Sequence, residues 1–134
     1  MTDSQTPQAI DRLAVVLDEI AEMERREGFE GTKIGRRLQL IRISTRAWHG
    51  DEWEEVFEDR AVGKICRACE ARSKPGRRKW QYYMKWPKAP EGDYLVIVQA
   101  GPLRFEGRGG SLALAVATAY RDALKHSTES IKSS

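Results

Sequence analysis

Apolar positions recur along this chain in two rhythms. Between residues 7 and 27, Ile10, Leu13, Ala14, Leu17, Ile20 and Ala21 fall on one helical face, with Asp11, Asp18, Glu19, Glu22 and Arg26 on the others. Thr6-Pro7 is start chemistry for this helix and Gly28 a stop. A second helical stripe runs through Trp53, Phe57, Ala61, Ile65 and Ala68, joined by Val56, Cys66 and Cys69. Asp51 is a capping residue for it, and Glu52, Glu54 and Glu55 suit the positive end of its dipole. Gly63 is a point where it could kink or divide, and Lys74-Pro75-Gly76 ends it. A third stripe, Leu112, Val116, Ala119, Tyr120 and Ala123, follows Ser111 as N-cap. Its small residues, Ala113, Ala115, Ala117 and Ala119, permit close approach to a sheet.

The other rhythm has period two. Trp80, Tyr82, Met84 and Trp86 alternate with Gln81, Tyr83 and Lys85, which predicts a strand closed by Pro87. Tyr94 to Gln99 is aliphatic on both alternating faces, which predicts a central strand covered on each side. Ala100-Gly101-Pro102 is turn chemistry, and Leu103-Arg104-Phe105-Glu106 alternates again, so the two form an antiparallel hairpin. Gly107 to Gly110 predicts a freely turning connection to the last helix.

The segment from Gly31 to Trp48 reads two ways. Ile34, Leu38 and Ile41 define a helix face, and Ile34 to Arg42 (IGRRLQLIR) resembles the opening helix of a Cro/repressor-type helix-turn-helix. The β-branched ending tips the expectation toward a strand over Leu38 to Thr45. The fold class is therefore α+β: a three- or four-stranded, mainly antiparallel sheet packed by an N-terminal, a central and a C-terminal helix. Residues 1–134 form one domain, with 1–6 and 127–134 as disordered tails.

Composition narrows the function classes. With 32 % charged residues and no long apolar run, a membrane span is not expected. Thr2 to Gln8 is polar, so no signal-peptide core follows Met1, and a cytoplasmic protein is expected. The net charge of +3 is modest, but it is laid out in blocks. Asp18 to Glu30 and Asp51 to Asp59 are acidic, whereas Lys33 to Arg46 and Arg72 to Lys88 are basic without acids.

The second basic block is the sharpest chemical signal. Arg72, Lys74, Arg77, Arg78, Lys79, Lys85 and Lys88 cluster around a Pro-Gly turn and an aromatic strand. Cations at that density neutralise phosphates and release counterions, and an exposed aromatic such as Tyr83 stacks on bases. Arg36 and Arg37 from the first basic block would assist. The alternative is that the aromatics are core and the cations only keep an edge strand soluble. Cys66-Arg-Ala-Cys69 suggests metal or redox chemistry, but only His49 and His126 remain as soft partners, and the pair lies late in a helix rather than opening one. Buried structural cysteines are the simpler reading, and no metal or other cofactor is expected. Gly107 to Gly110 has the outline of an anion-binding loop but neither the Walker ending nor the dinucleotide glycine spacing. No catalytic residues emerge: His49, Asp51 and Glu52 lack a nucleophile or second histidine at useful spacing.

The closing third also resembles a family. The turn and strand Glu91-Gly92-Asp93-Tyr94-Leu95-Val96, a glycine-containing connection and the helix SLALAVATAYRDAL are similar to small phage domains of the ABA-sandwich type. The resemblance implies a helix–sheet–helix layering, a phage or prophage origin, a bacterial host cytoplasm as location, and no catalytic residues. The long basic-aromatic segment and the cysteine pair depart from it. The expected function is a non-enzymatic accessory protein of phage type that binds DNA or RNA through Arg72 to Lys88. The rival is an inhibitor or adaptor whose acidic residues Glu54, Glu55, Glu58 and Asp59 meet a basic surface of a host protein complex.

Overall fold

The computed structural model describes residues 9–27, 33–72, 82–86 and 93–133. Four helices and three strands follow in the order α1 (Ala9–Glu27), α2 (Gly35–His49), α3 (Trp53–Arg72), β1 (Tyr82–Lys85), β2 (Tyr94–Ala100), β3 (Leu103–Gly109) and α4 (Leu112–Ser133). A single 3₁₀ turn, Gly50–Glu52, joins α2 to α3. Gly50 has φ +55°, a backbone conformation that favours glycine, so the two helices abut without a loop.

The sheet is antiparallel throughout, in the order β1-β2-β3. Gly101 carries φ +61° and Pro102 follows it, between the paired residues Ala100 and Leu103. A two-residue loop with glycine in first place suits the twist of the flanking strands. Met84, Val98 and Phe105 share one row of the register, and Val96 and Gly107 another. These rows face the core.

Helix α4 lies on that face, across β2 and β3, with α3 beside it over β1. The α1 helix packs on α4, and α2 spans α1 and α3. The layers thus run sheet, then α4 with α3, then α1 with α2. All four helices stand on one side of the sheet, so neither the expected cover on both faces of β2 nor the helix–sheet–helix layering is found among the described residues. Ile97, on the opposite face, is 7 % exposed but stands outside the core cluster.

The glycines after Phe105 have a different role from the one expected. Gly107 and Gly109 belong to β3 rather than to a free turn. A Cβ on Gly107 would fall 2.6 Å from the Ala119 amide nitrogen, and one on Gly109 would fall 2.7 Å from Leu114 Cγ. Glycine there lets the strand and an alanine-rich helix approach at backbone distance. Ser111 caps α4 as expected: its Oγ accepts from the Leu114 N–H at 3.2 Å. The helix then continues to Ser133, so the segment from residue 127 expected as a tail has helical backbone.

The strand expected over Leu38 to Thr45 is instead part of α2. Ile34, Leu38, Ile41 and Thr45 face inward at helical spacing, and Thr45 Oγ1 donates to the Ile41 carbonyl at 2.6 Å. What overrides the β-branched preference is tertiary. The buried Glu24 carboxylate on α1 accepts from the Ile34 N–H at 3.0 Å and the Gly35 N–H at 2.7 Å. It takes the place of a local N-cap, which α2 lacks. Gly35 is also the point of closest helix crossing: a Cβ there would lie 2.5 Å from the Ala21 nitrogen. Nor does Gly63 divide α3, which is continuous to Arg72.

Candidate nucleic-acid interface

Because antiparallel partners project to the same side, the register defines the helix-free face of the sheet. Lys85, Ile97 and Glu106 form one row across it. Tyr83, Gln99 and Arg104 occupy the next register positions, and Leu95 pairs with Arg108. Lys85, Arg104, Glu106 and Arg108 are exposed, and Gln99 is half-buried with its amide donating to the Gly101 carbonyl at 3.2 Å. Among the described residues, three cations therefore stand with one carboxylate on a face that none of the helices covers. Arg108 also lines a groove of about 430 Å³ with Asp11, Arg12, Glu19 and Arg121, so it lies where this face meets the α1–α4 side.

The sequence-derived site is only partly assembled. Lys74, Arg77, Arg78, Lys79 and Lys88 lie outside the described residues. Arg72 does not belong to the surface at all. It continues the inward stripe of Ala61, Ile65 and Cys69 at helical spacing and is 4 % exposed. Its Nε donates to the Tyr120 hydroxyl at 3.0 Å, and its guanidinium carbon lies 5.8 Å from that ring's centroid. Burial pushes the Tyr120 hydroxyl well above the ordinary phenol range, and the Arg72 charge only partly offsets this. A cation held in this way cannot reach a phosphate. The seven-residue spacing from Ile65 to Arg72 was the signal in the sequence that the stripe continued.

Arg36 and Arg37 are exposed in the first turn of α2. They line a groove of about 600 Å³ whose α1 wall includes Asp18, Glu22 and Glu24. The α2 helix packs on α1 and α3, one layer away from the strands, so the fold does not join this basic block to the sheet face.

The acidic group is better gathered. Glu54, Glu55, Glu58 and Asp59 occupy the first two turns of α3. Glu58 and Asp59 line a groove of about 450 Å³ with Val62, Tyr94 and the residues that open α4, Gly110 to Ala113. Burial raises the Glu58 carboxyl above its ordinary range, with repulsion from Glu54 adding to the effect and a hydrogen bond with Ser111 opposing it.

Cys66 is half-buried and Cys69 buried, and neither forms a disulfide. The Cys66 thiol donates toward Met84 Sδ at 3.5 Å, tying α3 to β1. Burial pushes both thiols up, with Glu70 adding to the shift on Cys66 and Cys66 to that on Cys69, so the protonated form is favoured at neutral pH. Among the described residues, no group of three or more His, Cys, Asp or Glu side chains could hold a metal ion. No described helix is long and apolar enough to cross a membrane. No family model matches the chain, and neither does any curated protein or solved structure.

Two features of this chemistry were not foreseen. Arg104 joins the sheet face only through the β2–β3 register; its polar position in an alternating strand was the available signal. Glu24 had no such signal, because its partners lie ten and eleven residues away on another helix.

Proposed function

We propose that this chain is a small, non-enzymatic accessory protein that binds nucleic acid across the helix-free face of its sheet. One observation carries the reading. All four helices pack on one side, leaving Lys85, Arg104 and Arg108 exposed on a face whose register also includes Tyr83 and Gln99. Open sheets of this kind bind single strands by stacking bases on aromatic side chains while cations follow the phosphates. The cations Arg77, Arg78 and Lys79 lie three to five residues before β1 in the sequence and would extend the same track. A phage-type role and a cytoplasmic setting rest on the resemblance of the C-terminal third.

The test is a fluorescence-anisotropy titration with labelled single- and double-stranded oligonucleotides at two salt concentrations. Binding should weaken with salt. Removing Lys85 or Arg104 should reduce the salt slope by about 0.7 to 0.9 per lost phosphate contact. Absence of binding at low salt, or binding that ignores Lys85→Ala, Arg104→Ala and the Arg77/Arg78/Lys79 triple alanine alike, would sink this reading.

A second reading is favoured by the groove beside Glu58 and Asp59. There an acidic α3 surface would meet a basic patch of a protein partner. Reversing Glu54, Glu55, Glu58 and Asp59 to lysine should abolish that association and leave oligonucleotide binding in place.

A further inference from the structure

The chain holds two basic blocks, and the fold sets them apart. All four helices lie on one side of the sheet, and α2 packs mainly on α1 and α3. The face that bears Lys85, Arg104 and Arg108 therefore looks away from α2. A segment lying flat on that face does not lie on α2.

Helix α2 carries Arg36, Arg37, Arg42 and Arg46 and no acid. Arg36, Arg37 and Arg46 are exposed, and Trp48 is 82 % exposed. Helix stability does not account for Arg36 and Arg37. They stand in the first turn, at the positive end of the helix dipole, where cations are disfavoured. Neighbouring acids do not account for them either. Both arginines line the groove shared with α1, but its carboxylates are engaged by other donors. Glu22 holds Arg25 at 2.6 Å and Arg26 at 3.1 Å. Asp18 accepts from Gln39 Nε2 at 2.6 Å, and Glu24 accepts from the Ile34 and Gly35 N–H groups. Among the described residues, no hydrogen bond or ion pair engages Arg36 or Arg37.

The spacing of these residues suits a strand. Arg37 and Trp48 are eleven positions apart, close to three full turns, so they share one side of the helix about 17 Å apart along its axis. Exposed Leu40 and Ile43 lie between the cations. The charge of such a surface is complemented by phosphates and its indole by a base.

We infer that the exposed face of α2 is a second nucleic-acid site, so that one chain holds two single-stranded segments at once, one on the sheet and one on α2. Arg36 and Arg37 take phosphates of the second segment, and Trp48 stacks on one of its bases. The bridging rests on the proposed sheet-face site for its other half.

Sedimentation velocity with the full chain and a fluorescein-labelled single-stranded oligonucleotide of about ten nucleotides reads the stoichiometry at low salt. With oligonucleotide in excess, the wild type should carry two per chain. The Arg36→Ala/Arg37→Ala variant should carry one, held by the sheet with affinity changed by less than about twofold. The Lys85→Ala/Arg104→Ala variant should also carry one, held by α2. Trp48→Ala should weaken the second site by at least about fivefold, the loss of one stacked base. Arg36, Arg37 and Trp48 are exposed, so the thermal midpoint should not move in these α2 variants. Two per chain in the Arg36/Arg37 variant overturns the inference and leaves the sheet-face reading standing. So does one per chain in the wild type when binding depends on Lys85 and Arg104. One per chain that depends on Arg36 and Arg37 but ignores Lys85 and Arg104 overturns the sheet-face reading and the bridging with it, and no binding at low salt overturns both. Displacement from α2 by polyglutamate as readily as by unlabelled oligonucleotide also overturns the inference, since that face would then serve an acidic protein.

Discussion

Helices α4 and α2 use their apolar residues in opposite ways. In α4, Ala113, Leu114, Ala115, Val116, Ala117 and Ala119 are buried in succession around the helix, because strands press on one side and α1 and α3 on others. Small side chains make this possible, and glycines at positions 107 and 109 receive the helix from the strand side. In α2 only one stripe is buried, while Leu40 and Ile43 point outward. Both helices contribute buried residues to the core, yet only α4 is surrounded. Apolar content therefore reports how much surface must be covered, and the packing decides whether the chain itself covers it.

The same substitution in each helix is the strongest test. Leu124→Ala in α4 should cost about 3 to 4 kcal/mol of unfolding free energy by urea titration, since a fully buried leucine leaves a cavity. Leu40→Ala in α2 should change it by no more than about 0.5 kcal/mol, since its side chain is exposed. Equal costs would break the comparison. Adding volume instead of removing it probes the α4–β3 contact. Gly107→Ala should destabilise by about 2 to 3 kcal/mol, because the atoms in its way belong to the α4 backbone and cannot rotate aside.

Glu24→Ala tests the anchor of α2 and should cost about 2 kcal/mol, with Glu24→Gln less damaging because an amide oxygen still accepts one of the two N–H groups. Hydrogen exchange should show the loss concentrated at the start of α2 and leave α4 protected.

The smallest effect concerns pH at the mouth of α4. The Glu58 carboxyl is raised in the folded state by burial, then by Glu54. The folded protein therefore holds this proton more tightly than the unfolded chain does. Its ionisation lowers stability as pH rises from the ordinary carboxylate range through the raised value, with no penalty below both. Glu58→Gln should stabilise the protein at pH 7 by less than about 1 kcal/mol after solvent screening, and have no such effect near pH 3. A gain that persists at pH 3 would show that charge is not the cause.

Much of the fold was legible because its signals are local. The α1 stripe from Ile10 to Ile20, the aliphatic run of β2, the Gly101-Pro102 hairpin and the Ser111 cap each depend on neighbouring residues. The candidate site was less legible. Lys85 could be placed on a strand face from alternation alone, but Arg104 and Arg108 came beside it only through strand pairing. Arg72 looked like part of a basic surface because sequence proximity groups charges, whereas helical periodicity had already turned it toward Tyr120. The α2 segment was ambiguous because Leu38, Leu40 and Ile41, Ile43 satisfy both periods, and the deciding contacts come from Glu24 and Ala21 on another helix.

The amino-acid sequence alone determined the number of major apolar stripes, the hairpin turn, the alanine-rich character of the last helix and the segregation of charge into blocks. All of these follow from the chemistry of residues within a few positions of one another. Only the tertiary structure decided that the helices gather on one side of the sheet, that Arg72 is buried while Arg104 is exposed, and that the segment from Gly35 to His49 is a helix with Leu38 inside and Leu40 exposed. Those outcomes depend on which distant surfaces meet, since desolvation and hydrogen-bond satisfaction are settled by contact across the fold and not by position along the chain.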